Sequence, residues 1–166
     1  YGEYAHVFER VVGARVDRLP LSAADGWRLD GERLGRALAT GRYDLAVVVN
    51  PNNPTGRYLP RAELAEAVAA APPHTRVWID EAYLEYAVPA AESLERLAAG
   101  RPGLVVCKSM SKVYALSGMR VAYLVADPST VAALRTWTPP WVVGLPAQVA
   151  AVAALADPGH YAACWE

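Results

Sequence analysis

Three short clusters of polar residues follow apolar runs in the sequence and carry side chains that can do chemistry. Residues 50–56 read NPNNPTG, residues 80–83 read DEAY, and residues 108–112 read KSMSK. A lysine amine can attack a carbonyl carbon, a carboxylate can hold a cation or accept a proton, and serine hydroxyls can bind an anion. Each cluster alone is more often structural, because Pro, Asn and Gly form turns and a single Asp often caps a helix. The clusters carry chemistry only if the fold brings them together.

Other catalytic motifs can be set aside from the sequence. Residues 109–112 fit the S-x-x-K pattern of penicillin-binding enzymes, but those enzymes also need a K-T-G strand. That strand is impossible here because the only lysines are Lys108 and Lys112. Residues 77–81 resemble the strand and acidic pair that bind magnesium in nucleotide hydrolases, yet the sequence has no G-x-x-x-x-G-K-[ST] loop. G-x-G-x-x-G is also absent, so a dinucleotide-binding fold has no support.

Apolar patterning alternates between strands and helices along the chain. Residues 14–19 are predicted to form a short strand that ends at Pro20, and apolar runs predict further strands at residues 45–49, 76–79, 104–107 and 121–125. Apolar residues at helical spacing predict helices at 30–39 (with Asp30 as N-cap), 60–71, 92–99, 129–137 and 146–156. The alternation is typical of an α/β protein with a largely parallel sheet. Ligands bind beyond the carboxyl ends of such strands, and the three polar clusters lie at these ends.

Composition narrows the function classes further. The chain has 166 residues and a formal net charge of -1, so it can bury one core but is too neutral to favour nucleic acid or an anionic membrane. No apolar stretch approaches the roughly 20 residues of a spanning helix. Two cysteines, Cys107 and Cys164, exclude a disulfide scaffold, and the three histidines are too scattered for a metal site. We therefore expect a cytoplasmic protein with no metal, membrane or nucleic-acid partner.

The order and spacing of the clusters form a joint pattern. NPTG at residues 53–56 is followed by D-x-x-Y at 80–83, and S-x-S-K at 109–112 is followed by Arg120. With YGEY at residues 1–4, this pattern resembles the class I/II aminotransferases, which are fold type I pyridoxal-phosphate (PLP) enzymes, and it most resembles their histidinol-phosphate aminotransferase branch. The resemblance implies an α/β fold: the three-layer αβα sandwich with a mostly parallel sheet of the PLP-transferase large domain. It also implies pyridoxal 5'-phosphate as the cofactor.

The resemblance assigns catalytic roles to Lys112, Asp80 and Tyr83. Lys112 would bind the cofactor's aldehyde and then move a proton between substrate and cofactor. Asp80 would pair with the pyridine nitrogen and keep it protonated, which makes the ring an electron sink. Tyr83 and Asn53 would hydrogen-bond the ring's phenolic oxygen. Glu81 should point elsewhere, because neighbouring side chains at a strand end diverge.

The remaining cofactor contacts are implied by the same resemblance. Ser109, Ser111 and Arg120 would bind the phosphate, the arginine through its charged planar fork. Tyr1 matches the aromatic residue that stacks on the cofactor ring in the histidinol-phosphate branch. Three other residues are expected to be structural or solvent-facing: Tyr86, Glu81 and Lys108.

The resemblance also concerns domain organisation and partners. It implies that residues 1–166 are the central part of the PLP-binding large domain, with the N-terminal segment and the C-terminal small domain absent. The partners would be an amino acid and a 2-oxo acid, and the enzyme would be a homodimer. Two alternatives stay open. One is a PLP-dependent decarboxylase of the threonine-phosphate decarboxylase type, which the WTPPW stretch at 137–141 resembles; the other is a non-catalytic fragment of the large domain.

Overall fold

The computed structural model describes residues 2–87 and 91–165, and a four-stranded sheet lies at its centre. The strands are β1 Leu45–Val49, β2 Arg76–Asp80, β3 Leu104–Ser109 and β4 Ala122–Val125. Their order in the sheet is β1-β2-β3-β4. β1, β2 and β3 are parallel, and β4 pairs antiparallel with β3. The predicted α/β architecture with a largely parallel sheet is confirmed.

The predicted strand at residues 14–19 is wrong. These residues have no sheet partner in the described part of the chain, and most of them are exposed. Arg15 and Asp17 face solvent and pair with each other at 3.3 Å, while Leu19 packs against the core from a loop. A strand is stabilised mainly by its neighbours across the sheet and on the same face, and this segment has neither.

The described residues also form seven α-helices. They are α1 Gly2–His6, α2 Gly31–Ala39, α3 Arg61–Ala69, α4 Glu95–Gly100, α5 Pro128–Trp137, α6 Leu145–Ala156 and α7 Pro158–Trp165. Three further helical segments of other types follow α1, β2 and the loop that contains Lys112, at Val7–Val12, Leu84–Tyr86 and Ser117–Met119. The five helices predicted from spacing are confirmed with shifted ends, whereas α1 and α7 were not predicted.

Side chains near the helix starts explain where two helices begin. Asp30 caps α2 as predicted, because its carboxylate accepts two backbone N–H groups of the first turn. α4 begins later than its apolar spacing predicts. The backbone N–H of Leu94 donates to Glu81 Oε1 at 2.9 Å, and Ser93 Oγ accepts the N–H of Glu95 at 3.0 Å. These two bonds satisfy N–H groups at the start of α4 that have no partner within the helix.

One face of the sheet packs against α2, α3 and α4 to form the main core. Its buried strand residues are Val48, Val77, Ile79, Leu104 and Val106, and its buried helix residues include Leu38, Leu64, Val68 and Ala98. Ile79 is fully buried and directly precedes Asp80. The packing therefore fixes the strand end from which the Asp80 side chain projects.

A second apolar cluster supports the loop between β3 and β4. Met110, Val113 and Tyr114 of this loop pack with α6 and α7. Trp165 Nε1 donates to the Val113 carbonyl at 2.7 Å, and the ring of Tyr161 meets that of Tyr114 edge-on at 4.9 Å. This cluster holds the segment that contains Lys112.

Truncating Ile79 should cost far more stability than truncating an exposed residue. We expect Ile79→Ala to lower the free energy of unfolding by about 2–5 kcal/mol, because it removes buried methyl groups and leaves a cavity. The control is Val11→Ala, at a side chain that is 75% exposed, for which the change should stay within about 0.5 kcal/mol. Urea unfolding of both variants measures this, and equal losses would contradict the described core.

Candidate active site

The three polar clusters meet at one edge of the sheet. β1, β2 and β3 are parallel, so the residues that follow them emerge at the same edge. β4 runs antiparallel, with Ala122 opposite Ser109, so β4 starts where β3 ends. Arg120, two residues before β4, is thereby brought to the same edge. The expectation that the clusters lie together is confirmed.

Asp80 is the carboxylate at the end of β2. Its Oδ1 accepts the backbone N–H of Ala82 at 3.0 Å, which fixes one oxygen. Cys107 lies opposite Asp80 on β3. Burial and the charge of Asp80 raise the pKa of the Cys107 thiol to about 11, so this neighbour stays neutral around pH 7. Cys107 therefore adds no charge beside the Asp80 carboxylate.

Asn53 and Tyr83 lie together although they come from different clusters. Asn53 Nδ2 donates to the Tyr83 hydroxyl oxygen at 3.2 Å. The two residues follow β1 and β2, and both side chains are half-buried. An amide N–H and a phenol O–H at one place are suited to stabilise an anionic oxygen.

Lys112 extends over the ring of Tyr83. Its Nζ lies 5.3 Å from the ring centroid, within the range of a cation–π contact. The residue is exposed, and its amine forms no ion pair with any acid that the structure describes. The lysine thus presents an accessible amine close to the Asn53–Tyr83 pair.

Two serines and an arginine lie close together at the end of β3 and in the loop that follows it. Arg120 donates through one guanidinium nitrogen to Ser111 Oγ at 3.4 Å and to the Ser117 carbonyl at 3.0 Å. Ser109 Oγ accepts the backbone N–H of Ser111 at 3.4 Å. Arg120 has φ of 54°, in the left-handed region, so its backbone turns sharply before β4. Hydroxyls and a guanidinium in this arrangement fit a phosphate.

Glu81 and Lys108 are structural, but they do not face solvent. Glu81 is 1% exposed and Lys108 is 4% exposed. Lys108 Nζ lies 3.3 Å from Glu81 and 2.7 Å from Glu85. Burial opposes the charge of Lys108, but the two carboxylates outweigh it and raise its pKa above the ordinary value. Tyr86 is exposed, so of the two expected roles, structural or solvent-facing, it has the second.

Tyr4 is a neighbour of Asp80 that the sequence patterns did not indicate. Its hydroxyl donates to Asp80 Oδ2 at 2.7 Å and accepts the indole N–H of Trp78 at 3.2 Å. Tyr4 and Asp80 are 76 residues apart, so no local pattern links them. The YGEY segment was the one available signal. The stacking role predicted for Tyr1 falls on a residue outside those that the structure describes.

The described residues contain neither a membrane-spanning helix nor a cluster of metal ligands. No helix in residues 2–87 and 91–165 is long and apolar enough to cross a membrane. Within the same residues, no group of three or more His, Cys, Asp or Glu side chains is placed to hold a metal ion.

A family model and curated relatives of this chain both point to the same protein family. A model for the family described as aminotransferase class I and II matches residues 1–165. Among curated proteins, the aromatic amino acid aminotransferase of Rhodococcus jostii (strain RHA1) is 44% identical over 154 residues. That match covers 93% of this chain and 42% of the relative. The chain therefore spans less than half the length of this relative.

Solved structures show the same fold. The histidinol-phosphate aminotransferase of Sinorhizobium meliloti, solved with pyridoxal-5'-phosphate, matches with a TM-score of 0.84 and 29% identity. The match covers 97% of this chain and 43% of that one. The L-threonine-O-3-phosphate decarboxylase of Porphyromonas gingivalis matches with a TM-score of 0.65 and 29% identity, over 72% of this chain and 36% of that one. These similarities confirm the predicted fold class.

Proposed function

Because the chain belongs to the aminotransferase class I and II family, we propose that it is the cofactor-binding part of an aminotransferase that uses pyridoxal 5'-phosphate. The complete enzyme would move an amino group from an amino acid to a 2-oxo acid. The similarity to aminotransferases, one of them solved with this cofactor, supports the proposal. The observation that carries it is the meeting of the Lys112 amine, the Asp80 carboxylate and the Ser–Arg group at one sheet edge.

The side chains at this edge fit the functional groups of pyridoxal phosphate one by one. Lys112 offers an accessible amine for the aldehyde, and Asp80 offers a carboxylate for a protonated ring nitrogen. Asn53 and Tyr83, bonded to each other, offer donors for the phenolic oxygen. The phosphate needs hydroxyls and a cation, which Ser109, Ser111 and Arg120 supply. The aldehyde, the ring nitrogen, the phenolic oxygen and the phosphate thus each have a matching side chain at this edge.

The roles of the protein groups follow from their chemistry. Pyridoxal phosphate, when bound, supplies an aldehyde for the substrate amine and a ring that takes up electrons. Asp80 holds the ring nitrogen in its charged form and orients it, since a nearby carboxylate favours a cation. Lys112 would take the proton from the substrate Cα and deliver it to the cofactor, acting as general base and then general acid. Tyr83 and Asn53 donate to a negatively charged oxygen, and Tyr83 also limits where the Lys112 amine can lie.

Amino transfer by the complete protein tests the proposed function. The protein is incubated with pyridoxal phosphate, an amino acid and a 2-oxo acid acceptor, and the new amino acid is measured. The two relatives named for aromatic amino acids and for histidinol phosphate make substrates with a planar ring the first class to assay. Absence of transfer over a broad substrate set, with the cofactor bound, would contradict the proposed amino transfer.

A second candidate is decarboxylation of a phosphorylated amino acid. The structural match to the Porphyromonas gingivalis decarboxylase and the WTPPW stretch at residues 137–141 favour it. The two reactions use the same cofactor contacts, so the site cannot separate them. Release of carbon dioxide without transfer to a 2-oxo acid would support the decarboxylase instead.

We also propose that the complete protein is a cytoplasmic homodimer whose large domain includes residues 1–166. Large apolar side chains lie exposed near the C-terminal helices, at Trp137, Trp141, Val142, Leu145, Val149, Val152 and Leu155. Leu145, Val149 and Val152 are spaced to lie on one face of α6. Exposed apolar faces of this kind mark protein contacts. Two free cysteines are consistent with a reducing compartment. The mass of the complete protein in solution tests the dimer.

Removing the Arg120 side chain should weaken cofactor binding. Charge-assisted hydrogen bonds contribute roughly 1.5–3 kcal/mol, so the affinity of Arg120→Ala for pyridoxal phosphate should fall about ten- to a hundredfold. Alanine keeps a Cβ at the left-handed position, so the change removes the guanidinium without altering the backbone preference. Fluorescence titration measures the affinity, and free phosphate should compete in the parent but less in the variant.

The control is Arg135→Ala, which removes an exposed arginine from the last turn of α5. This variant should bind the cofactor as the parent does. If Arg120→Ala also binds normally while remaining folded, Arg120 is not part of the phosphate site.

A further inference from the structure

The Asp80 carboxylate is held by groups on both of its oxygens. Oδ1 accepts the Ala82 N–H at 3.0 Å, and Oδ2 accepts the Tyr4 hydroxyl at 2.7 Å. A carboxylate oxygen has two lone pairs, so each oxygen can accept a further bond from a bound molecule. Two anchors on different oxygens fix the plane of the carboxylate, whereas the backbone bond alone would fix only one oxygen.

Tyr4 is itself oriented by Trp78. The indole N–H donates to the Tyr4 hydroxyl oxygen at 3.2 Å, which leaves the hydroxyl hydrogen to point at Asp80. Trp78 and Asp80 are alternate residues of β2, so their side chains lie on the same face of the sheet. Bonds in such a chain strengthen one another. Tyr4 is therefore a donor to Asp80 with a defined direction.

The surroundings keep the Tyr4 hydroxyl protonated. Burial, and then the bond to Asp80 and its charge, raise the pKa of Tyr4 above its ordinary value. A cavity of about 560 Å³ adjoins the pair, and its walls include the apolar residues Val7, Phe8 and Val47. Hydrogen bonds to charge are stronger beside apolar walls than in water.

We propose that Tyr4 is a positioning residue that fixes the Asp80 carboxylate for a cationic ring nitrogen. This inference rests on the proposed function, because Asp80 has a ring to hold only if the cofactor binds. Tyr4 contacts the carboxylate and acts through it. Tyr4 lies on α1, which is far from β2 in the sequence. The Tyr4 hydroxyl is thus the group through which α1 contacts Asp80.

The Tyr4→Phe variant of the complete protein tests this role. It keeps the ring and removes only the hydroxyl. We expect its dissociation constant for pyridoxal phosphate to rise about two- to tenfold, the range for loss of one hydrogen bond. The NMR shift of an isotope-labelled ring nitrogen should also move toward the neutral form. A purely structural role of Tyr4 would not change that shift.

Two comparisons sharpen the result. Tyr86→Phe, at an exposed tyrosine, should change neither the affinity nor the shift. In a double-mutant cycle, Tyr4→Phe should have a much smaller effect once Asp80→Asn is present, because the hydroxyl acts through that carboxylate. Trp78→Phe should have a smaller effect than Tyr4→Phe, since it removes the orienting bond and leaves the direct one.

Each outcome decides between the possibilities. Unchanged affinity and nitrogen shift in Tyr4→Phe would overturn the role of Tyr4 while leaving the proposed function intact. Tighter cofactor binding in Tyr4→Phe would also overturn it, because the hydroxyl would then be a competitor that the ring nitrogen must displace. If the parent protein does not bind pyridoxal phosphate, both the proposed function and the role of Tyr4 fail.

Discussion

The Lys112→Ala variant of the complete protein should lose amino transfer by at least a factor of about 10²–10⁴, the contribution of a positioned general base. Its covalent bond to the cofactor is lost as well, because no other accessible lysine is present in the sequence. The parent, treated with pyridoxal phosphate and borohydride, should carry the cofactor on Lys112. Mass spectrometry of the peptide that contains residue 112 reads this out.

Lys108 provides the internal control for this experiment. It is 4% exposed and bound to two carboxylates, so its amine is neither accessible nor available for reaction. Lys108→Arg keeps a cation in the ion-pair group and should label on Lys112 as the parent does. Cofactor found on Lys108, or no covalent label in a protein that binds the cofactor, would contradict the assignment of the amine.

The Asp80→Ala variant should separate holding the cofactor from using it. Lys112 does not need Asp80 to react with an aldehyde, so covalent labelling should persist. Turnover should fall by orders of magnitude, because each pKa unit lost at the ring nitrogen is worth about 1.36 kcal/mol of preference for the charged ring. A cofactor analogue methylated at the ring nitrogen carries the positive charge permanently, so it should restore part of the rate.

The matched control for Asp80 is its neighbour, substituted as Glu81→Gln. Glu81 is buried, where its carboxylate accepts the Ser93 hydroxyl and the Leu94 backbone N–H and pairs with Lys108. Alanine at this position would remove every acceptor for these donors, whereas glutamine keeps a carbonyl oxygen, and Lys108 keeps its contact with Glu85 in either case; glutamine is therefore the sounder control. Near-normal turnover in Asp80→Ala, with Glu81→Gln inactive, would show that the ring-nitrogen contact is wrongly assigned to Asp80.

The sequence predicts the position of Asp80 and Lys112 because both follow strands with unambiguous signals. β-branched or apolar runs at residues 45–49, 76–79 and 104–107 are bounded by turn residues, and parallel strands bring their carboxyl ends to one edge. The direction of β4 could not be predicted in this way, since an apolar run is the same in a parallel or an antiparallel strand. Yet that direction is what brings Arg120 beside Ser111.

Long-range contacts are the other part that patterns miss. The Tyr4–Asp80 bond spans 76 residues and depends on where α1 docks, which spacing within α1 does not determine. The burial of Lys108 could not be predicted from the sequence pattern for a similar reason. A lysine in a polar cluster suggests solvent, and only the fold places Glu81 and Glu85 within 3.3 and 2.7 Å of its amine.

The order of the strands in the sheet has a consequence for how the protein is made. Because β1, β2, β3 and β4 pair in the order in which they occur, each strand after β1 leaves the ribosome when a partner has already been synthesised. No described strand has to wait for a later one or insert between two others, which keeps the chain separation of the sheet contacts short. The turn at Asn53, the end of β2 at Asp80 and the loop that contains Lys112 leave the ribosome in that order. Arg120 follows them, so among these residues the phosphate contact is the last to be completed on the nascent chain.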